Sequence, residues 1–344
     1  MDSKEKLELA LKPPVQEVVT QEELKELFET NSHPKHYIGF EISGLLHVGS
    51  LMVSGSVINN LSKAGVETTV FLADWHSIIN NKLGGDFEKI KDASKYYEEA
   101  FKFYCPKAKI VRGTELYKGN DDYWQSVLKF SMHVTLARAT RTMQVLGRSE
   151  SETLDVAKYI YPSMQAVDIH FLKADIAHAG MDQRKVHMLA REVFSKMGWS
   201  VPIAMHHKLL SSLSGEEIKM SKSNPDTAVF IHDSHDEVKR KLSKAFCPEK
   251  TVDGNPVLAY ARDLVFVCKD SFEIERPAKF GGNVEFSSYA ELQEAFAKGE
   301  LHPADLKNAV ASEVNELTEP IRKHFESGRA KDYLHEIKSF QITR

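Results

Sequence analysis

The chain is expected to be an α/β protein: a Rossmann-like, doubly wound parallel sheet followed by a C-terminal helical domain. Three features of the sequence lead there. Through the first two hundred residues, short apolar runs alternate with longer helical patterns, as βα units require. The run 68–74 is β-branched and largely apolar, which suits a buried strand. Beyond about residue 224 the strand pattern stops and helical segments follow.

Taken in order, Thr20 and Glu23 form a capping box, so 20–29 reads as a helix. Residues 36–41 are aromatic-rich and alternating, a strand. Ser43 and Gly44 turn the chain, and a helix runs from about 48 to Gly65, a C-terminal glycine. The strand at 68–74 comes next, then a long charged helix at 86–104, a strand at 108–112 and helices through 121–147. A helix at 161–171 places Pro162 in its first turn. Strands at 174–179 and 201–205 flank a helix at 183–197. The later helical segments are 236–246, 256–268, 289–298 and 303–325, with no clear strand among them. The expected domains are an N-terminal extension (1–32), a catalytic domain (33–226) and a helical domain (227–344).

Composition narrows the class. At 344 residues, 42% hydrophobic and 27% charged, the chain can bury a sizeable core in two domains. Cys105, Cys247 and Cys268 are odd in number, far apart and without a C-x-x-C pair, against a disulfide framework or a zinc site. There is no apolar run of about 18 residues to span a membrane, and no signal-peptide apolar region at the start, so a cytoplasmic location is expected. The net charge of −4 lends nothing to RNA binding. Residues 127–148 do carry Lys129, Arg138, Arg141 and Arg148 with no acidic residue. They are either an RNA-phosphate contact or a solvated or subunit face.

Two motifs carry chemistry. Gly44-Leu-Leu-His47-Val-Gly49-Ser50 follows a strand and opens a helix, where free amides favour a triphosphate; His47 can donate to phosphate oxygens, and Gly49 lets adenine approach the backbone. About 170 residues downstream stands Lys219-Met-Ser-Lys222-Ser223, a hydrophilic segment that can bring two ammonium groups onto a pyrophosphate. A third pattern is Tyr161, Gln165 and Asp168, at i, i+4 and i+7. They put a phenol, an amide and a carboxylate on one helix face among apolar neighbours. Such groups are costly to bury unless partnered, and a ligand with a hydroxyl and an ammonium group would partner them.

With these residues the chain resembles the class I aminoacyl-tRNA synthetases, whose "HIGH" and "KMSKS" motifs these are, and within them the tyrosyl-tRNA synthetases of archaeal and eukaryotic type. The resemblance covers about residues 33–330. One departure is Ser50, where the motif has histidine. The resemblance implies that Asp168 and Tyr37 bind the phenolic hydroxyl of L-tyrosine, and that Tyr161, Gln165 and Gln183 bind its amino group. It implies that Gly39, His47, Gly49, Ser50 and Lys222 contact ATP, with Glu41 beside Gly39 at the pocket. His47, Lys219 and Lys222 would be the catalytic groups. ATP with Mg2+ is the expected cofactor set, with no protein-bound metal. The tRNA(Tyr) anticodon would meet Phe280, His302 and Asp305, and a homodimer would join through 120–150.

Local readings stand beside these. Asp74 either caps the next helix or touches ligand, and His302 and Asp305 can simply cap a helix begun by Pro303. His206 and His207 would hold adenine through their backbone, since adjacent side chains diverge on a strand and cannot share a metal. Cys247 is either near the anticodon or buried for structure. The rivals are a tryptophanyl-tRNA synthetase, a small-molecule nucleotidyltransferase and a catalytically silent RNA-binding paralogue.

Overall fold

The computed structural model describes residues 1–142, 155–215 and 225–340, and of Phe280 the backbone only. The chain divides into two compact units. Met1–Gly44, Val57–Lys208 and Glu336–Arg344 form the first; Leu45–Ser56 and Leu209–His335 form the second.

Among the described residues, the first unit holds a six-stranded sheet of order β1-β6-β5-β2-β3-β4. Its strands are β1 (Val15–Val19), β2 (Lys35–Phe40), β3 (Glu67–Leu72), β4 (Lys109–Arg112), β5 (Ile176–Gly180) and β6 (Ile203–His207). All pairings among β2 to β6 are parallel, as expected. The exception is β1, which lies antiparallel along β6 with Val18 opposite Met205. Residues 1–32, expected as an extension, therefore contribute the edge strand. None of its five residues is fully buried, so its hydrophobic pattern is weak.

Among the described residues, the α-helices of this part follow in chain order: α1 (Ser3–Ala10), α2 (Gln21–Thr30), α3 (Ser54–Lys63), α4 (Asp74–Ile79), α5 (Phe87–Tyr104), α6 (Gly113–Tyr117), α7 (Asp121–Ser131), α8 (Leu136–Thr142), α9 (Val156–Phe171) and α10 (Arg184–Met197). The capping box at α2 forms, with Glu23 N–H donating to Thr20 Oγ1 at 3.2 Å and Thr20 N–H to Glu23 Oε2 at 3.0 Å. α9 starts earlier than expected because Asp155 caps it, accepting from Lys158 N–H, so Pro162 lies inside the helix. The helix expected from about 48 opens instead as a π-helical turn, Gly49–Val53, before α3.

Each sheet face has its own core. Ile176, Ile203 and Met205 pack with Leu24, Phe28, Val57 and Leu61 on one face. Tyr37, Phe71, Val111 and Ala177 pack with Tyr123, Met164, Val167 and Leu189 on the other. The strand order reverses between β2 and β5, so the loops at their carboxyl ends leave in opposite directions and open a crevice.

The second unit is mainly helical: α11 (His235–Lys244), α12 (Pro256–Tyr260), α13 (Phe266–Cys268), α14 (Tyr289–Lys298), α15 (Pro303–His324) and most of α16 (Gly328–Ser339). A π-helical stretch, Ala261–Val265, interrupts the helix expected at 256–268. The expectation of no strand here is corrected: β7 (Phe272–Ile274) and β8 (Val284–Phe286) form an antiparallel hairpin. Three residues each are too few to establish an alternating pattern. Lys241 and Asp233 form a buried ion pair at 2.6 Å, and Lys241 also donates to the Ala228 carbonyl.

The boundaries of the units differ from the expected cuts at 32/33 and 226/227. Residues 45–56 group with the helical residues because Val48 N–H donates to the Val229 carbonyl and Ile231 N–H to that of Leu46. No helix among the described residues is long and apolar enough to cross a membrane.

Candidate active site

The chemically distinctive groups of the first unit stand just past the carboxyl ends of its parallel strands. Glu41 follows β2, Asp74 and His76 follow β3, Tyr117 ends the helix after β4, and Gln183 follows β5. α9 lies on the same sheet face and contributes Tyr161, Gln165 and Asp168.

Asp168 is completely buried. Its Oδ1 accepts from the Tyr117 hydroxyl at 2.9 Å and the Tyr123 hydroxyl at 2.7 Å. Its Oδ2 has no hydrogen-bond partner, and His76 Nε2 stands 3.6 Å away. His76 is itself 1% exposed, and neither ring nitrogen has a partner. Burial pushes the Asp168 carboxyl up to about 8, against the two phenol hydrogen bonds and with a smaller push from the Asp74 charge. Burial lowers His76 to about 3, so its ring is neutral near pH 7. Each unsatisfied buried polar atom costs about 1–3 kcal/mol. Three such atoms on two facing side chains mark a place where a ligand hydroxyl would be stabilised.

Rings pack around these side chains. Tyr117 and Tyr123 lie 4.4 Å apart, Tyr37 packs on Phe71 at 5.8 Å, and Tyr161 meets His76 edge-on at 4.5 Å. The Tyr37 ring folds along its strand over Gly39: a Cβ there would sit 2.5 Å from the Tyr37 hydroxyl oxygen. What Gly39 provides in this structure is room for that phenol. Burial and the Asp168 charge raise Tyr37 well above the ordinary phenol value.

A second polar group lies further along α9. The Tyr161 hydroxyl donates to Glu41 Oε1 at 2.9 Å; Asn80 Nδ2 donates to the same oxygen at 2.8 Å, and Lys82 stands 3.6 Å from Glu41 Oε2. Gln165 Nε2 donates to Gln183 Oε1 at 3.2 Å, and Gln183 Nε2 to Asp182 Oδ2 at 2.9 Å. Gln165 Oε1 is buried and unpartnered. Of the sequence-predicted set, Gln165 and Gln183 are thus brought together, while Tyr161 bonds Glu41.

In the second unit, Ser50 N–H donates to His47 Nδ1 at 3.1 Å and the Ser50 hydroxyl lies 3.0 Å from His47 Nε2. An Nδ1 that accepts leaves the proton of the neutral ring on Nε2, facing the serine oxygen. The residue that departs from the motif therefore orients the histidine that keeps it. A Cβ at Gly49 would meet His47 Nδ1 at 3.1 Å and Leu210 Cβ at 3.2 Å, so the glycine lets the imidazole pack on the backbone. Lys219 and Lys222 lie outside the described residues, as does the side chain of Phe280. His302 caps α15, its Nδ1 accepting from Ala304 N–H at 3.1 Å, and faces Glu249 at 3.7 Å; Asp305 is in that helix's first turn.

Other readings resolve as follows. Asp74 caps a different helix from the one expected: it accepts from Thr114 N–H and Oγ1 at the start of α6, as well as from Trp75 N–H. His206 and His207 do diverge, one bonding His187 and Glu17, the other His178. Among the described residues no group of three or more His, Cys, Asp or Glu side chains could hold a metal ion. Cys247 is buried beside Asn255 Nδ2 at 3.4 Å. Arg138 pairs with Glu192 of α10 at 2.5 Å, while Arg148 lies outside the described residues.

Sequence reasoning missed His76, Tyr117 and Tyr123. Their position after strands was visible, but each also reads as an ordinary helix residue, and their convergence on Asp168 is a tertiary fact.

The profile of tRNA synthetases class I (W and Y) matches residues 29–319. The chain is 46% identical to the tyrosine–tRNA ligase of Pyrococcus furiosus and 45% to that of Pyrococcus abyssi, each over all of both chains. It is similar to the crystal structure of the Pyrococcus horikoshii tyrosyl-tRNA synthetase complexed with L-tyrosine, at TM-score 0.92 and 44% identity, over 98% of this chain and 100% of that one. The strand order, the two polar groups on α9 and these matches together show that the chain belongs to the class I tRNA synthetases of the tryptophan and tyrosine family.

Proposed function

We propose that the chain activates L-tyrosine with ATP to tyrosyl-adenylate and transfers the tyrosyl group to the 3′-terminal adenosine of tRNA(Tyr). The observation that carries the amino-acid assignment is Asp168: a fully buried carboxylate, fixed by two phenols at one oxygen, with the other oxygen open toward His76. A para-hydroxyl satisfies that oxygen; phenylalanine leaves it unpaired. Full-length identity to tyrosine–tRNA ligases supports the same reading.

In the first step the tyrosine carboxylate attacks the α-phosphorus and pyrophosphate leaves. No covalent enzyme intermediate or general base is needed; the protein contributes position and charge. Tyr37 and Asp168 hold the hydroxyl; Tyr161, Gln165 and Gln183, with Glu41, hold the ammonium end. His47, oriented by Ser50, and the lysines Lys219 and Lys222 stabilise the phosphate charge as it develops. Gly39 and Gly49, which make room for the Tyr37 phenol and the His47 imidazole, contact ATP through their backbone in this reading. ATP enters with Mg2+ as part of the substrate. In the second step a ribose hydroxyl of the terminal adenosine, the 2′-hydroxyl by the rule of the class, attacks the tyrosyl carbonyl carbon; the ester bond forms, the bond from that carbon to the phosphate oxygen breaks, and AMP leaves.

Residues 33–226 form the catalytic domain in this reading, and 227–344 read the anticodon through Phe280, His302 and Asp305. Leu128, Met132 and Leu136 are 66%, 85% and 68% exposed on α7 and just before and within α8. Such an apolar patch supports a homodimer joined through 120–150. The site of action is the cytoplasm.

ATP–pyrophosphate exchange across all twenty amino acids tests the assignment. Exchange with tyrosine far above every other amino acid is the expected result. Preference for tryptophan would move the chain to the other branch of the family, and exchange with none would remove the activity.

A further inference from the structure

The substrate-facing residues above do not explain why Asp168 presents a particular oxygen. Its environment does. Tyr117 ends the helix after β4 and Tyr123 belongs to α7, and both hydroxyls converge on Oδ1. The two rings pack at 4.4 Å, tilted by 33°, and Tyr123 also packs on Phe171. Two donors from separate helices fix the carboxyl rotation. Oδ2 is then left facing His76 Nε2 across 3.6 Å, both atoms buried and unpartnered. A single oxygen can lie within ordinary hydrogen-bond distance of both.

We propose that Tyr117, Tyr123 and His76 form, with Asp168, a donor–acceptor notch that recognises a phenolic hydroxyl and so sets tyrosine-over-phenylalanine specificity. Tyr117 and Tyr123 are positioning residues, acting through Asp168; His76 touches the hydroxyl itself. A hydroxyl donates one hydrogen bond and accepts others. If Asp168 is ionised, Oδ2 accepts and the His76 Nε2–H donates. If Asp168 holds a proton on Oδ2, it donates and His76, protonated on Nδ1, accepts. Either arrangement offers one donor and one acceptor, which a hydroxyl satisfies together and a bare ring satisfies in neither. This deepens the tyrosine reading and rests on it.

The experiment measures kcat/KM for tyrosine and for phenylalanine in ATP–pyrophosphate exchange by wild type, Tyr117→Phe, Tyr123→Phe, the double variant, His76→Leu and His76→Gln. Loss of both phenol hydroxyls is expected to lower the tyrosine-to-phenylalanine ratio about 10- to 100-fold, with each single change several-fold, almost wholly through tyrosine. His76→Leu is expected to lower the ratio about 10-fold, and His76→Gln, which keeps an N–H donor, to recover part of it. A purely structural role lowers both substrates alike and leaves the ratio unchanged; that result overturns the proposal. Should the double variant not fold, the single variants decide by the same ratio. Wild type and Asp168→Asn separate the two levels. If wild type prefers tyrosine and Asp168→Asn abolishes that preference while the shell variants keep it, the notch fails and the tyrosine reading stands. If wild type shows no tyrosine-dependent exchange, both fall.

Discussion

Two buried polar regions of the first unit invite comparison because they are alike in burial and opposite in completeness. On one sheet face, His36 of β2, His178 of β5 and His207 of β6 form a chain across neighbouring strands, with ring contacts of 3.0 and 2.8 Å. On the other face, Asp168, His76 and Gln165 together leave four buried polar atoms without partners. The histidine chain is largely its own partner, and its remaining orphan, His36 Nδ1, lies at one end. The α9 region leaves its unmet valences on side chains that face one another or lie along one helix. A completed polar network specifies a scaffold; an incomplete one of the same burial is completed by what binds.

Breaking the scaffold network should therefore cost stability and leave specificity intact. His178→Ala removes the central ring and strands its two neighbours. A loss of about 2–5 kcal/mol in unfolding free energy is expected by denaturant titration, with the tyrosine-to-phenylalanine ratio unchanged. A change in the ratio would erase the distinction between the two regions.

The histidine chain and Asp168 should also answer to pH with opposite signs. Burial lowers His36 to about 3 and His207 to about 4, and lowers His178 well below the ordinary 6.5. A folded value below the unfolded one favours the fold above pH 6.5, and that advantage is lost as pH falls toward 3–4. Each ring removes up to about 1.4 kcal/mol per pH unit in that window, so thermal unfolding should move down steeply between pH 6.5 and 5. Asp168 runs the other way. Its value is raised from 3.8 to about 8, so its contribution is complete below pH 3.8 and lost as pH rises to 8. Asp168→Asn should consequently gain thermal stability relative to wild type on going from pH 5.5 to 8.5. A constant difference between the two proteins would contradict this.

Smaller changes refine the picture of the pocket. Gly39→Ala drives a methyl to 2.5 Å from the Tyr37 hydroxyl. It should weaken tyrosine binding about tenfold by displacing that phenol, while the fold, measured by circular dichroism, persists. Ser50→Ala removes the hydroxyl beside His47 Nε2. A several-fold fall in kcat with an unchanged KM for tyrosine is expected from the proposed role of His47 on phosphate charge in the transition state. A change confined to KM would assign Ser50 to the wrong substrate.

Much of this was legible in the sequence. The strand β3 was legible from its β-branched apolar run and β2 from its alternating, aromatic-rich pattern, and the capping box at Thr20 forms where it was read. Tyr161, Gln165 and Asp168 share a helix face because helical spacing alone puts them there. The edge strand β1 escaped because it is half solvated, and the hairpin β7–β8 because three residues carry no period. The shell of Asp168 escaped for a different reason. Tyr117 and Tyr123 are separated from it by 51 and 45 residues, and no local pattern encodes which of eleven tyrosines will meet one carboxylate.

The account rests on a buried carboxylate choosing a para-hydroxyl. Calorimetric titration of L-tyrosine and L-phenylalanine into wild type and Asp168→Asn, without ATP, isolates that choice from every later step. Wild type should bind tyrosine at least about a hundredfold more tightly than phenylalanine, and the substitution should bring the two within about tenfold. An undiminished preference in the variant would mean that the hydroxyl is recognised elsewhere.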